Sequence, residues 1–120
     1  MFPPSVLENI YVRGSLKNNP EGFQLALRNN VDTGTLIGLG LLTVDGASFP
    51  PASLVLKTAR SEKRGDQLGY SNSLYLPVGT DVQLRVLGQP LAPGAHHLVF
   101  VVNVAEIGRL QFEAADEVAA

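Results

Sequence analysis

The sequence contains no cysteine and no tryptophan. Without cysteine there is no disulfide, no thiolate nucleophile and no sulfur-ligated metal, a composition compatible with a reducing compartment. Histidine is nearly absent too: His96 and His97 are the only two, too few for the usual zinc site without clustered carboxylates. Charge is also scarce. Asp, Glu, Lys and Arg make up 17% of the chain, against about 25% in ordinary soluble domains. The net charge is -2 and the nine Lys and Arg are scattered, so no basic field exists to hold nucleic-acid phosphates. The longest apolar runs, Leu36 to Leu42 and Leu98 to Val102, fall far short of the roughly 20 residues that span a bilayer. No membrane segment is expected. The stretch Met1 to Asn9 lacks the cationic start and apolar run of a secretion signal, and a cytoplasmic location is the expectation.

What remains is a chain of 120 residues, 45% of them hydrophobic, enough for one core and one domain. Its apolar residues recur with period two. Ile10 and Val12, then Phe23, Leu25 and Leu27, are spaced for one face of strands, with Arg13, Gln24 and Arg28 as alternates. Turn-forming clusters punctuate these runs: Lys17 to Gly22, Asp45-Gly46, Pro50-Pro51, Pro77-Val78-Gly79, Gly88-Gln89-Pro90 and Pro93-Gly94. The pattern predicts about eight strands, near 10–17, 22–29, 35–44, 53–58, 73–76, 81–87, 96–104 and 108–114. Short strands at this spacing indicate an all-β, antiparallel β-sandwich, with an open β-barrel as the runner-up. Residues 1–9 read as a lead-in with one helical turn after Pro3-Pro4, residues 60–69 as a mobile polar loop, and residues 114–120 as a flexible tail.

Two strands carry apolar residues on both faces. In 36–42 one face holds Leu36, Gly38, Gly40 and Leu42, and the other holds Ile37, Leu39 and Leu41; Leu98 to Val104 behaves alike. A half-solvated strand alternates with polar residues, so a second cover is expected, supplied by this chain's own loops or by another subunit. For the second case Ile37, Leu39, Leu41, His97, Val99 and Val101 form the candidate partner interface. Gly38 and Gly40 would let a foreign backbone approach closely.

Candidates for chemistry are few. Adjacent strand residues project to opposite faces, so His96 and His97 cannot readily share one metal. Parity turns His96 inward, as a hydrogen-bonded core histidine, and puts His97 beside Val99 and Val101, where it contacts a partner or solvent. Asp45, Asp81 and Glu21 sit at turns and read as structural. Asn18, Asn19, Asn29, Asn30 and Asn72, with Tyr11, Tyr70 and Tyr75, are the raw material of a sugar-binding face, although the tyrosines fall in separate segments. No catalytic, cofactor-binding or metal-binding residue is nominated.

The segments Tyr11 to Asn18, Glu21-Gly22-Phe23-Gln24-Leu25, Val44-Asp45-Gly46 and Pro90 to His96 together resemble the small β-subunit of bacterial C-glycoside deglycosidases. The resemblance implies a non-catalytic accessory sandwich, paired with a larger TIM-barrel subunit that holds a divalent metal. It further implies that the assembly is a carbon-carbon lyase acting on 3-oxo C-glycosides. This chain is then the accessory subunit of a hetero-oligomer, and Arg60, Lys63, Arg64 and Tyr70 mark a loop at the partner's active-site mouth. The competing expectations are a self-contained binding or structural module that forms homo-oligomers and takes up carbohydrate, and a small enzyme that uses His97 with an unassigned acid.

Overall fold

The computed structural model describes residues 7–119, excepting the Glu8 side chain; the proposed Pro3-Pro4 lead-in lies largely outside them. Eleven strands succeed one another in chain order: β1 (Lys17–Asn19), β2 (Gly22–Arg28), β3 (Gly34–Leu39), β4 (Leu42–Val44), β5 (Ala47–Phe49), β6 (Leu54–Lys57), β7 (Glu62–Arg64), β8 (Leu74–Leu76), β9 (Asp81–Leu87), β10 (Gly94–Val104) and β11 (Gly108–Val118). The helical content described is three 3₁₀ turns, Glu8–Ile10, Pro51–Ser53 and Gly65–Gln67. One sheet has the order β1-β2-β9-β6-β7. In the other, β11 pairs with β10 along its whole length, so β3 and β4 share the opposite edge of β10 in tandem, extended by β8 and β5 respectively. Every pairing is antiparallel. The two sheets do not close into a barrel, and the molecule is a β-sandwich.

Alternation builds the core. Phe23 and Leu25 of β2, Val82, Leu84 and Val86 of β9, and Leu54 and Leu56 of β6 point inward from the first sheet. Leu36, Leu42, Val44, Leu98, Phe100 and Phe112 meet them from the second. Phe100 and Phe112 stack at 4.9 Å across the β10–β11 pair. The Asp45-Gly46 turn has positive φ at both residues, 51° and 86°, the geometry of a two-residue hairpin whose twist matches its strands.

The doubly apolar stretch 36–42 is interrupted by two bulges. Val104 pairs with Leu36 and Asn103 with Gly38, so Ile37 is an extra residue on β3. Further along, Gly40 bonds Val101 and Thr43 pairs with Val99, so Leu41 is a second extra residue. Each bulge reverses the in-out parity of the residues beyond it. Leu36, Leu39, Leu42 and Val44 all reach the core side as a result, although simple alternation separates Leu39 from the rest. Leu39 therefore leaves the candidate interface. Gly40 does not await a foreign backbone either, because a Cβ there would lie 2.8 Å from Cγ1 of Val101 of this same chain.

Two segments expected to lack regular structure possess it. Residues 62–64 form β7 on β6, and Gly65–Gln67 packs against Pro51 and Leu39. Residues 114–118 continue β11 in register with β10 and end on Val118, which is buried in the core. Alanine, aspartate and glutamate have low strand propensity, but a full-length partner strand overrides it.

Candidate functional site

His96 sits where the β4–β5 turn meets the start of β10. Its Nδ1 lies 2.5 Å from Asp45 Oδ2 and its Nε2 lies 2.7 Å from the carbonyl oxygen of Ala92. Both partners are acceptors, so the two contacts are both hydrogen bonds when the ring is the imidazolium, which donates from each nitrogen. The Ala92 carbonyl, and then the Asp45 carboxylate, push its pKa up. Asp45 also accepts the backbone N–H of His97, and these bonds hold its carboxyl below the ordinary range. This is a tie between two turns and the start of β10 whose polar atoms already have partners.

His97 points to the other face of the sheet, where Nε2 lies 2.7 Å from Glu113 Oε1 on β11. The two histidines therefore diverge, and among the described residues no cluster of three His, Asp or Glu is arranged to hold a metal ion. Beside His97 lies a polar recess lined also by Tyr11, Arg13, Glu113, Ala114 and Ala115.

Tyr11, which lines this recess, donates to Asp116 Oδ2 at 2.6 Å, and the N–H groups of Gly14 and Leu16 converge on the same oxygen. The other carboxylate oxygen accepts the N–H of Glu117. Burial pushes the Asp116 pKa up, but the bonds from Tyr11 and the three backbone groups outweigh it and hold the carboxyl low. Burial, and then the bond to Asp116, push the Tyr11 phenol well above its ordinary value, so it remains a neutral donor. Sequence patterning does not single out Asp116. Nothing local distinguishes it, since its role depends on a contact between residues 105 positions apart.

The residues proposed for a sugar face do not come together. Asn18 bonds the backbone of Leu91 in both directions, and Asn29 bonds the carbonyls of Asp32 and Leu76. Asn30 bonds Asn9, Asn19 bonds Gln24, and Asn72 bonds Gln67 while accepting from Lys63. The amides hold loops, as Asn side chains do when they replace backbone partners. Tyr11 is buried, whereas Tyr70 and Tyr75 are exposed. In the expected mouth loop, Lys63 is tied to Asn72 and Arg64 to Asp66, while Arg60 and Tyr70 face solvent.

Two apolar features remain. On the outer face of the second sheet, Leu41 is half exposed at its bulge, with Ile37, Val99 and Val101 half-buried around it and His97 exposed at one end. Between the sheets lies a cavity of about 260 Å³, where the end of β2, the loop 29–33 and the β10–β11 turn meet. Leu27, Leu36, Val82, Val102 and Leu110 line it, and Asp32 and Glu106 stand at its rim. Glu106 accepts both the N–H and the hydroxyl of Thr35, which hold its carboxyl below the ordinary range. Among the described residues no helix is long and apolar enough to cross a membrane.

Comparison with known proteins overturns the resemblance to C-glycoside deglycosidase subunits. The stretches that carried it are general sandwich devices: Val44-Asp45-Gly46 is a hairpin turn, and Pro93-Gly94-Ala95-His96 enters a strand. The lyase activity on 3-oxo C-glycosides and the metal-bearing TIM-barrel partner were implied by that resemblance. No curated protein matches the chain. A family model described as "Hydroxymethylglutaryl-CoA reductase, N-terminal domain" matches residues 6–119, nearly the whole sequence, and the chain belongs to that family.

Proposed function

We propose that this chain is a non-catalytic accessory module of a reductase acting on hydroxymethylglutaryl-CoA, packing against the catalytic unit and stabilising it. The observation that carries this reading is the family match over residues 6–119, whose description is that of one domain of such an enzyme. The site geometry agrees with it. Tyr11, Asp116, His96, Asp45, His97 and Glu113 are engaged with one another, whereas a general acid or base must reach a substrate proton. The half-exposed apolar side chains around Leu41 offer the catalytic unit a contact surface.

The test is to assay a hydroxymethylglutaryl-CoA reductase catalytic unit from the same source with and without this chain, joined or added separately. The expected result is a stable association, slower thermal inactivation of the catalytic unit, and no hydroxymethylglutaryl-CoA consumption by this chain alone. Turnover by the isolated chain, or a catalytic unit indifferent to its presence, refutes the reading.

The cavity between the sheets favours a second reading, a self-contained module that binds a neutral apolar molecule. An apolar cavity of about 150 Å³ already accommodates benzene, and this one is larger, at about 260 Å³. Carboxylates at the rim disfavour an anionic ligand. Titration with a neutral naphthalene probe should raise the melting temperature and be blocked by Leu36→Trp; a melting temperature unchanged at saturating probe sinks this reading.

A further inference from the structure

A sandwich with open sheets must manage its edges, because an edge strand presents unpaired N–H and C=O groups to any passing strand. Here β1, β5, β7 and β8 are edges of three residues each, too short to template much. β11 is different. It runs for eleven residues, contains no proline or lysine, and pairs with β10 from end to end without a bulge.

The backbone pattern shows which groups it offers. On β10, the carbonyls of His97 and Val101 accept from Asp45 and Gly40, so odd-numbered residues serve the β3–β4 side and even-numbered ones serve β11. Each even residue of β10 faces an even residue of β11. The odd residues of β11 therefore aim their N–H and C=O groups outward. Glu117 satisfies its N–H on Asp116. Among the described residues the backbone groups of Arg109, Gln111, Glu113 and Ala115 have no protein partner.

The side chains of this edge are complementary to themselves. Antiparallel pairing of β11 with a second β11, centred on Gln111, opposes Arg109 to Glu113 twice and Gln111 to itself on the two-fold axis. On the inner face it opposes Leu110 to Phe112. Alternative centres lack this agreement. Centring on Glu113 places two carboxylates face to face, and centring on Ala115 opposes Glu113 to Glu117 twice. The favoured register centres contact away from the Asp116 tie at the far end of the strand, and Glu113, which lines the Arg13 recess and lies 2.7 Å from His97, stands where it can also meet Arg109 of the second copy. Arg109 makes no ion pair among the described residues, so its guanidinium is available to a second chain.

We propose that the β11 edge is a homodimerisation surface, at which two copies of this chain join their β10–β11 sheets across a two-fold axis at Gln111. The occupant is a second copy because residues 109–113 place opposite charges symmetrically about Gln111. The surface is the free edge of β11, and its outer-face side chains Gln111 and Glu113 adjoin Val101 and Val99.

The test uses the full chain in sedimentation equilibrium over a range of concentrations, with circular dichroism to show that each variant is folded. The wild type should double its apparent mass as concentration rises. Arg109→Glu and Glu113→Arg should each weaken dimerisation roughly tenfold, because each makes like charges face one another twice, and the double variant should recover it. Because the chain has no cysteine, Gln111→Cys gives a second reading. Directly opposed residues in a hydrogen-bonded antiparallel pair are about 5.5 Å apart at Cα, within disulfide range. Mild oxidation should link Gln111→Cys into dimers and leave Ser48→Cys, on the β5 edge, unlinked. A chain that stays monomeric at every concentration, a dimer indifferent to both single reversals, or a double variant no better than the singles overturns the proposal.

Discussion

Tyr11→Phe removes one oxygen atom and tests the tie that holds the N-terminal segment to β11. The hydroxyl donates at 2.6 Å to a carboxylate, from a side chain that is only 8% exposed. Hydrogen bonds to charged groups contribute about 1.5–3 kcal/mol. Asp116 keeps three backbone N–H partners in the variant, and the neighbouring recess admits water to the vacated position. The expected loss is therefore at the low end, about 1.5–2 kcal/mol, or a fall in Tm of about 6–8 °C for a domain of this size. The pH dependence is set by the depressed pKa of Asp116. A carboxyl whose folded pKa lies below its unfolded value contributes stability above the unfolded pKa, and that contribution disappears as pH falls through the folded one. The gap between wild type and variant should thus be full at neutral pH and shrink in acid, where the acceptor is protonated. Urea unfolding monitored by far-ultraviolet circular dichroism suits a chain without tryptophan. A loss below about 0.5 kcal/mol at neutral pH, or a gap that is the same in acid, would refute the assignment of Asp116 as a charged acceptor.

Three further outcomes are expected. The His96 ring should titrate by NMR above the ordinary histidine value of about 6.5, and Asp45→Asn should lower its midpoint. Because the folded pKa is raised, the stability this tie contributes is present at low pH and is lost as pH rises through that value. Gly40→Ala should destabilise by about 1–3 kcal/mol through collision with Val101, and Val101→Ala in the same chain should recover part of the loss in urea unfolding. Val118→Ala should cost about 1–3 kcal/mol by the same measurement, since residue 118 closes the core and does not belong to a tail; a neutral effect would contradict that placement.

The fold class was legible because it depends on short-range patterning. Alternation at Phe23, Leu25, Val82, Leu84 and Val86 defines strands with one buried face, and the Asp45-Gly46 and Pro93-Gly94 pairs mark their limits. Where alternation is interrupted by an extra residue it misleads. The bulges at Ile37 and Leu41 bring Leu39 to the core side while Leu41 stays exposed, and a bulge is defined by the partner strand, which local sequence does not contain. The family was not legible from turn motifs, because turns are set by backbone geometry common to many sandwiches.

From its own composition and spacing, the sequence determined an antiparallel sandwich, an absence of thiol chemistry, and a histidine pair whose rings point apart. Those properties reside in residue types and their period. Only the tertiary structure decided that Asp116 would anchor Tyr11, that His96 would sit between Asp45 and Ala92, and that β11 would be a long edge strand among the described residues. Each depends on which distant segments become neighbours, and that is settled by packing between sheets rather than by any local preference.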